Sequence, residues 1–116
     1  MTSKWRREFE NERSRLNEVV LSSGNLGIKR FFALDEQAYH AGVLPANVKE
    51  LMGLTASIVL HCDDCISYHL IKCKEAGISK EEFYEAFNIA LVVGGSIVIP
   101  HIRLAAERLE ILFEKG

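Results

Sequence analysis

Residues 50–69 read ELMGLTASIVLHCDDCISYH, and this stretch decides how the chain is expected to fold. It contains a C-x-x-C pair, a histidine four residues after the second cysteine, and a glutamate twelve residues before the first. If Cys62, Cys65 and His69 share one helix, their spacings of three and four residues place them on one face. Cys65 and His69 would then be neighbours on consecutive turns. Because only the thiolate is nucleophilic, a base beside a cysteine favours thiol chemistry.

Glu50 joins this site only if the chain turns back between two helices. On one unbroken helix it would lie ~18 Å from Cys62 and about 120° away around the axis. A turn near residues 60 and 61 instead brings Glu50 level with His69, since an antiparallel helix hairpin pairs positions equally far from its turn. A glutamate bonded to one imidazole nitrogen fixes the tautomer and leaves the other nitrogen to face the thiol.

The pattern E-x(11)-C-x-x-C-x-x-x-H resembles that of the AhpD-like, carboxymuconolactone decarboxylase-type family of small all-helical proteins. The resemblance covers roughly residues 40–110. In alkylhydroperoxidase members of that family the second cysteine is peroxidatic, the first is resolving, and the glutamate and final histidine relay the proton. The resemblance implies these roles, in this order, for Cys65, Cys62, Glu50 and His69. One residue departs from the peroxidase pattern, because Asp64 stands where that pattern has a histidine before the second cysteine.

The resemblance also implies an all-α fold, an AhpD-like bundle of about six helices built around the helix hairpin. It implies a single AhpD-like all-helical domain over residues 1–116 and a homo-oligomer, either a trimer or a hexamer. The apolar run at residues 89–99 is longer than a small monomer needs, so part of it is expected in a subunit interface. The active site is then expected near a subunit boundary.

The expected function is that of a thiol-dependent peroxidase or disulfide oxidoreductase. The Cys65 thiolate attacks a hydroperoxide, Cys62 closes a disulfide on the resulting sulfenic acid, and a dithiol donor reduces that disulfide. The expected partners are therefore a hydroperoxide or disulfide substrate and a dithiol electron donor. The spacing leaves open the opposite assignment, in which Cys62, nearer the helix N-terminus, is the nucleophile.

Two other functions stay open, and a third, a metal-binding module, is disfavoured by the spacing of its ligands. The motif could be idle in a redox-sensing or interaction module, and the broader family implies a carboxymuconolactone decarboxylase-like enzyme. A metal module would use the three cysteines and His69, but ligands strung along ~16 Å of one helix cannot surround a tetrahedral ion. The chain also has no Gly-rich phosphate-binding loop. We therefore expect no cofactor and no metal.

Composition narrows the class of protein. The chain has 116 residues, of which 48% are hydrophobic and 26% charged, as in globular domains. Its net charge of −2 argues against nucleic-acid binding, and no run reaches the ~18–20 apolar residues of a membrane span. The opening MTSKWRREFENER is too charged for a secretory signal, and three cysteines are too few for a secreted disulfide framework. These features predict a cytoplasmic protein.

Helical periodicity predicts six helices. The first two cover residues 4–22 and 28–40, and the third starts at Pro45 and ends near the turn at residues 60 and 61. The fourth runs from 63 to 76, the fifth starts at the Ser79–Glu82 capping box, and the sixth runs from about 96 to 113. The third helix is expected to bury one apolar stripe, Val48, Leu51, Met52, Thr55, Ile58 and Val59. Residues 92–99 also suit a β-hairpin with a Gly-Gly turn, but their helical flanks favour helix–Gly–helix.

Several side chains near the motif keep two interpretations. His61 is either a polar loop residue or an entrance residue, and Asp64 is a possible accessory to the site. Asp63 and Asp64 suit the positive N-terminal end of a helix. That end lowers the pKa of a nearby thiol, and the negative charge of the two aspartates opposes this lowering. Cys73 is expected to be a buried small hydrophobe. His101 is expected to be structural, or to face the site from a neighbouring subunit.

Overall fold

The structure, a computed structural model, describes residues 3–114 and contains six α-helices there. The helices are α1 (Lys4–Leu21), α2 (Leu26–Ala38), α3 (Ala46–Val59), α4 (Asp63–Glu75), α5 (Lys80–Gly94) and α6 (Ile99–Phe113), with a short 3-10 helix at Ser96–Val98. No strand occurs in residues 3–114, which confirms the all-α fold class and the helix count.

The chain divides into two compact units, residues 3–40 and residues 41–114. In the first unit, Asn25 caps α2 by accepting the backbone N–H of Ile28 on its side chain, directly after Gly24 turns the chain at φ 74°. This turn separates the two helices predicted over residues 4–22 and 28–40. One domain over residues 1–116 stays a prediction, and residues 1, 2, 115 and 116 lie outside the described part.

The second unit holds the predicted helix hairpin. Helix α3 packs against α4 and α5, and α4 packs against α6. The core between these helices consists of buried apolar side chains, chiefly Leu54, Ile58, Ile66, Leu70, Phe83, Phe87, Ala90, Val98, Ala105 and Leu109. Helix α5 starts with the predicted capping box, in which Ser79 and Glu82 each accept the other's backbone N–H.

The predicted buried stripe of α3 is wrong at its outer positions. Val48 is 36% exposed and Met52 57% exposed, whereas the buried side of the helix consists of Glu50, Leu54, Ser57 and Ile58. Helix α3 is apolar on two sides, and periodicity alone does not say which side faces the core. The outward-facing residues of the predicted stripe, Val48 and Met52 among them, instead line an open apolar groove of about 660 Å³ between α3 and α5.

Helices α3 and α4 end in the same hydrogen-bonded turn. After α3, the N–H of His61 donates to the carbonyl of Ile58 and the N–H of Cys62 to that of Ser57. This pair of bonds is the Schellman motif, whose penultimate residue takes a left-handed conformation and is usually glycine. At the end of α4 that residue is Gly77, at φ 87°, but at the end of α3 it is His61, at φ 60°. A side chain in this conformation costs roughly 1–2 kcal/mol.

The ambiguous segment at residues 92–99 is helix–Gly–helix, as the helical flanks predicted. Helix α5 runs to Gly94, and Gly95 then adopts φ 81° and ψ −174°, after which the 3-10 helix leads into α6. Only glycine adopts that backbone conformation at low cost. At Gly94 an added Cβ would lie 2.6 Å from a methyl group of Val98, so the glycine pair also permits close packing. Among residues 3–114, no helix is long and apolar enough to cross a membrane.

We expect Gly95→Ala to lower the free energy of unfolding by about 1–3 kcal/mol, because alanine is strained at this φ and ψ. Urea unfolding followed by far-UV circular dichroism measures the change. The control is Gly42→Ala, at which the backbone is not left-handed and the nearest atom to an added Cβ is the Lys49 Nζ at 3.6 Å. Equal stability of the two variants would contradict this account of the turn.

Candidate functional site

Cys62 and Cys65 are joined by a disulfide at the start of α4, with their Cα atoms 5.2 Å apart. Cys65 lies inside α4, which starts at Asp63 as predicted, so Cys62 directly precedes the helix. With φ −100° and ψ 92°, Cys62 is the N-cap residue, and its Sγ accepts the backbone N–H of Cys65 at 3.2 Å. The positive end of the helix therefore points at the Cys62 sulfur and favours its thiolate when the disulfide is reduced.

Glu50 and His69 form a buried hydrogen bond across the hairpin. The His69 Nδ1 lies 2.9 Å from the Glu50 Oε2, and the two residues are only 7% and 9% exposed. Since an ionised carboxylate only accepts hydrogen bonds, Nδ1 carries the proton and Nε2 is the basic nitrogen. The ring of Tyr68 packs edge-on against the imidazole, with 5.1 Å between ring centroids. The hairpin thus makes the acid–imidazole contact expected from the spacing.

Cys73 lies two turns beyond Cys65 and is fully buried. Burial, together with the charge of Glu50, raises the pKa of the Cys73 thiol to about 12. The thiol therefore stays protonated at neutral pH and is a poor nucleophile. This agrees with the expectation that Cys73 is a small buried hydrophobe.

A second acid–imidazole pair lies beside the disulfide. The His101 Nδ1, from α6, is 2.6 Å from the Asp63 Oδ1, and the His101 ring stacks on that of His61 with centroids 4.8 Å apart. His101 thus faces the candidate site from α6 of the same chain. Asp64 is exposed in the first turn of α4, and its side chain makes no hydrogen bond or ion pair within residues 3–114. The possible accessory residues therefore differ: His61 contacts this pair and Asp64 does not.

The sequence analysis missed two contacts that hold α6 against α4. Besides the Asp63–His101 pair, Arg108 donates a hydrogen bond to the buried Ser67 hydroxyl, which itself donates to the Asp63 carbonyl at 3.0 Å. No sequence signal marks either pair, because partners 38 and 41 residues apart meet only through the return of α6. Across residues 3–114, no three His, Cys, Asp or Glu side chains are grouped as metal ligands.

Fold and site together define a small all-helical protein whose central hairpin holds an acid, an imidazole and a cysteine pair. The model of the carboxymuconolactone decarboxylase family matches residues 28–108. The chain therefore belongs to the carboxymuconolactone decarboxylase family, and the resemblance noted from its residues is confirmed.

Known relatives agree with this assignment. An uncharacterized protein of Cupriavidus necator is 29% identical over 89 residues, which cover 72% of this chain and 79% of that protein. TM1620 from Thermotoga maritima is 58% identical in sequence to this chain, and its two crystal structures give TM-scores of 0.89 and 0.87. They cover 91% and 90% of this chain, and this chain covers 93% and 89% of theirs. With one of these structures, TM1620 is described as a carboxymuconolactone decarboxylase family protein possibly involved in the antioxidative response.

A more distant structure shares the fold. A carboxymuconolactone decarboxylase family protein from Legionella pneumophila has a TM-score of 0.82 at 21% identity, over 97% of this chain and all of that one. At this identity the likeness concerns the fold alone.

We expect the reduced native protein to react with a thiol reagent such as dithionitrobenzoate at two cysteines per chain. The third, Cys73, should react only after denaturation, because its pKa of about 12 keeps it protonated at pH 8 and its burial keeps the reagent out. The Cys73→Ala variant should give two reactive thiols both before and after denaturation. Three rapidly reacting thiols in the native wild type would contradict the placement of Cys73.

Proposed function

We propose that this protein is a thiol-dependent peroxidase that reduces hydroperoxides through Cys65 and Cys62. The observation that carries the proposal is the buried Glu50–His69 hydrogen bond, located one helical turn from a cysteine that is already within bonding distance of its partner. Side chains at i and i+4 of a helix are about 5–6 Å apart at Cβ and lean toward the helix N-terminus. His69 therefore leans toward the turn that carries Cys65.

The first step is oxidation of Cys65. His69, held by Glu50, takes the thiol proton, and the thiolate sulfur attacks one peroxide oxygen while the O–O bond breaks. Sulfur keeps that oxygen as a sulfenic acid, and the leaving alkoxide takes a proton from the imidazolium and departs as an alcohol. Cys65 is oxidised by two electrons and the hydroperoxide is reduced by two.

The second half of the cycle restores the dithiol. The Cys62 sulfur attacks the Cys65 sulfenic acid, which forms the disulfide and releases water. A dithiol donor then reduces this disulfide by two thiol–disulfide exchanges and is itself oxidised. If a substrate disulfide oxidises the Cys62–Cys65 dithiol in place of the hydroperoxide, the same half-cycle completes a disulfide oxidoreductase reaction. A dithiol reductant is typical of reducing compartments such as the cytoplasm. The description of TM1620 supports the antioxidant direction of this proposal.

The protein is also proposed to act as a homo-oligomer, with the apolar groove between α3 and α5 covered by another subunit. Along this groove Met52, Leu60, Ile89 and Val93 are between 55% and 76% exposed. An exposed apolar surface of this extent is unfavourable in water and is typical of an interface. Leu60 directly precedes the turn that leads to Cys62, so an interface here would lie next to the site.

Hydroperoxide consumption by the fully reduced protein, followed together with the free-thiol count, tests the enzymatic proposal. We expect the wild type to lose two thiols per chain and Cys65→Ser to consume no peroxide. His69→Ala and Glu50→Gln should slow thiol loss by about 100-fold, because general-base help of this kind is worth 10²–10⁴.

Two controls accompany these variants. Cys73→Ala removes the remaining thiol and Glu85→Gln removes an exposed carboxylate on α5, and both should keep the wild-type rate. A wild type whose thiol count is unchanged by hydroperoxide would rule out the peroxidase and favour an interaction module.

Light scattering coupled to size-exclusion chromatography tests the oligomer. We expect Met52→Asp combined with Val93→Asp to yield a species of lower mass, since charges in a buried apolar interface oppose association. The control is Val43→Asp, at a fully exposed residue that is not part of the groove. A monomeric wild type, or equal masses for all three proteins, would contradict the proposed interface.

A further inference from the structure

Both chain neighbours of Cys62 contact the same side chain. Asp63, directly after it, is hydrogen-bonded to the His101 Nδ1, and His61, directly before it, stacks on the His101 ring at an interplanar angle of 7°. His101 belongs to the first turns of α6, and no step of the proposed peroxide cycle uses it. The arrangement thus fixes one imidazole against both residues that flank the resolving sulfur.

His61 occupies a position where the backbone favours glycine. The corresponding residue of the same turn at the end of α4 is Gly77, which adopts this conformation without a steric penalty. At His61 the penalty is compensated by contacts of the side chain, and the stacked ring of His101 is the contact present there. Glycine is preferred at this position of the turn, and only one of the two equivalent turns has another residue there. This exception indicates that the His61 side chain has a function.

Asp63 is the group that most directly opposes ionisation of Cys62. The N-terminus of α4 favours a thiolate at its N-cap, because the Cys65 N–H donates to the Cys62 sulfur. An unpaired carboxylate on the very next residue would counteract that effect, since like charges disfavour each other's ionised form. Its hydrogen bond to an imidazole withdraws the carboxylate from this repulsion, and a protonated imidazole neutralises its charge.

We propose that His101 is a positioning residue for the Cys62 sulfur: by pairing with Asp63, it lets the positive end of α4 stabilise the Cys62 thiolate. The inference rests on the proposed function in one respect, that Cys62 and Cys65 are the redox pair. In that pair, a stabilised Cys62 thiolate favours the reduced form, so the disulfide is reduced more readily by a dithiol donor. Glu50–His69 then serves Cys65, and Asp63–His101 serves Cys62.

Within residues 3–114, the ionisable side chains that contact His101 are Asp63 and His61. The 3-10 helix Ser96–Val98 and the last turn of α5, residues 91–94, contain no ionisable side chain. On α6 itself the nearest charged residue is Arg103, which is two positions away and projects from a different face. Asp63 is about half exposed, with 52% of its side chain accessible, so solvent screening keeps the expected effect moderate.

The test measures how the ionisation of Cys62 depends on His101. In the Cys65→Ser protein, the rate of Cys62 alkylation by iodoacetamide is followed from pH 5 to pH 10 by peptide mass spectrometry. His101→Asn keeps a hydrogen-bond donor near the Nδ1 position but cannot become charged. We expect it to move the midpoint of the profile to higher pH and to slow alkylation at pH 7 by about three- to tenfold.

A double-mutant cycle identifies the route of the effect. In an Asp63→Asn background, where no carboxylate needs pairing, His101→Asn should leave the alkylation profile unchanged. His61→Gly, which keeps the turn and removes only the stacked ring, should give a smaller slowing than His101→Asn. Arg103→Gln removes one charge from the same helix and should leave the profile unchanged.

Two results would overturn the assignment. One is an unchanged midpoint in His101→Asn, and the other is an equal shift with and without Asp63. In the protein with both cysteines, equilibration with glutathione gives a second readout, in which His101→Asn should raise the disulfide fraction. Neither measurement uses hydroperoxide, so a wild type without peroxidase activity would remove the proposed enzyme and leave this inference to be decided on its own data.

Discussion

The hydrogen bond between Glu50 and His69 is the constraint on which the hairpin depends. Both groups are buried, and a buried charge deprived of its partner costs about 3–5 kcal/mol, so α3 and α4 are held at the register in which the two side chains meet. This register turns Leu54, Ser57 and Ile58 inward together with Glu50. The remaining apolar side of α3 is left facing outward, where it lines the groove shared with α5. With Glu50 on the inner side of α3, the apolar surface on the other side of this helix remains outside the core of the unit.

Two turns of the chain build the N-terminal end of α4, where the two cysteines lie. The first is the turn after α3, which gives Cys62 the N-cap position and directs a backbone N–H at its sulfur. The second is the return of α6, which places His101 on Asp63 and Arg108 on Ser67. As a result each sulfur has an acid–imidazole pair in its vicinity, one from the hairpin and one from outside it. In the proposed cycle this asymmetry is useful, because the attacking and resolving sulfurs have different tasks.

Much of the fold and of the candidate site could be predicted where the residues that determine a feature lie close together in the sequence. The capping box, the Gly-Gly break and the hairpin turn each depend on residues within a few positions of one another, and all are present. The Glu50–His69 contact was also accessible, because residues equally far from a tight turn meet across it. Prediction failed for Val48 and Met52, since a helix with two apolar sides does not reveal from its period which side is buried.

The sequence by itself determined the six helices, the family, and the spacing that unites one glutamate, one histidine and two cysteines in a single hairpin. These follow from local periodicity, turn chemistry and residue spacing, which act over at most about twenty residues. Only the tertiary structure decided the inner face of α3 and the pairing of Asp63 with His101. These depend on how helices far apart in the chain pack. The free energy of such packing comes from the whole core, and no short stretch of sequence contains it.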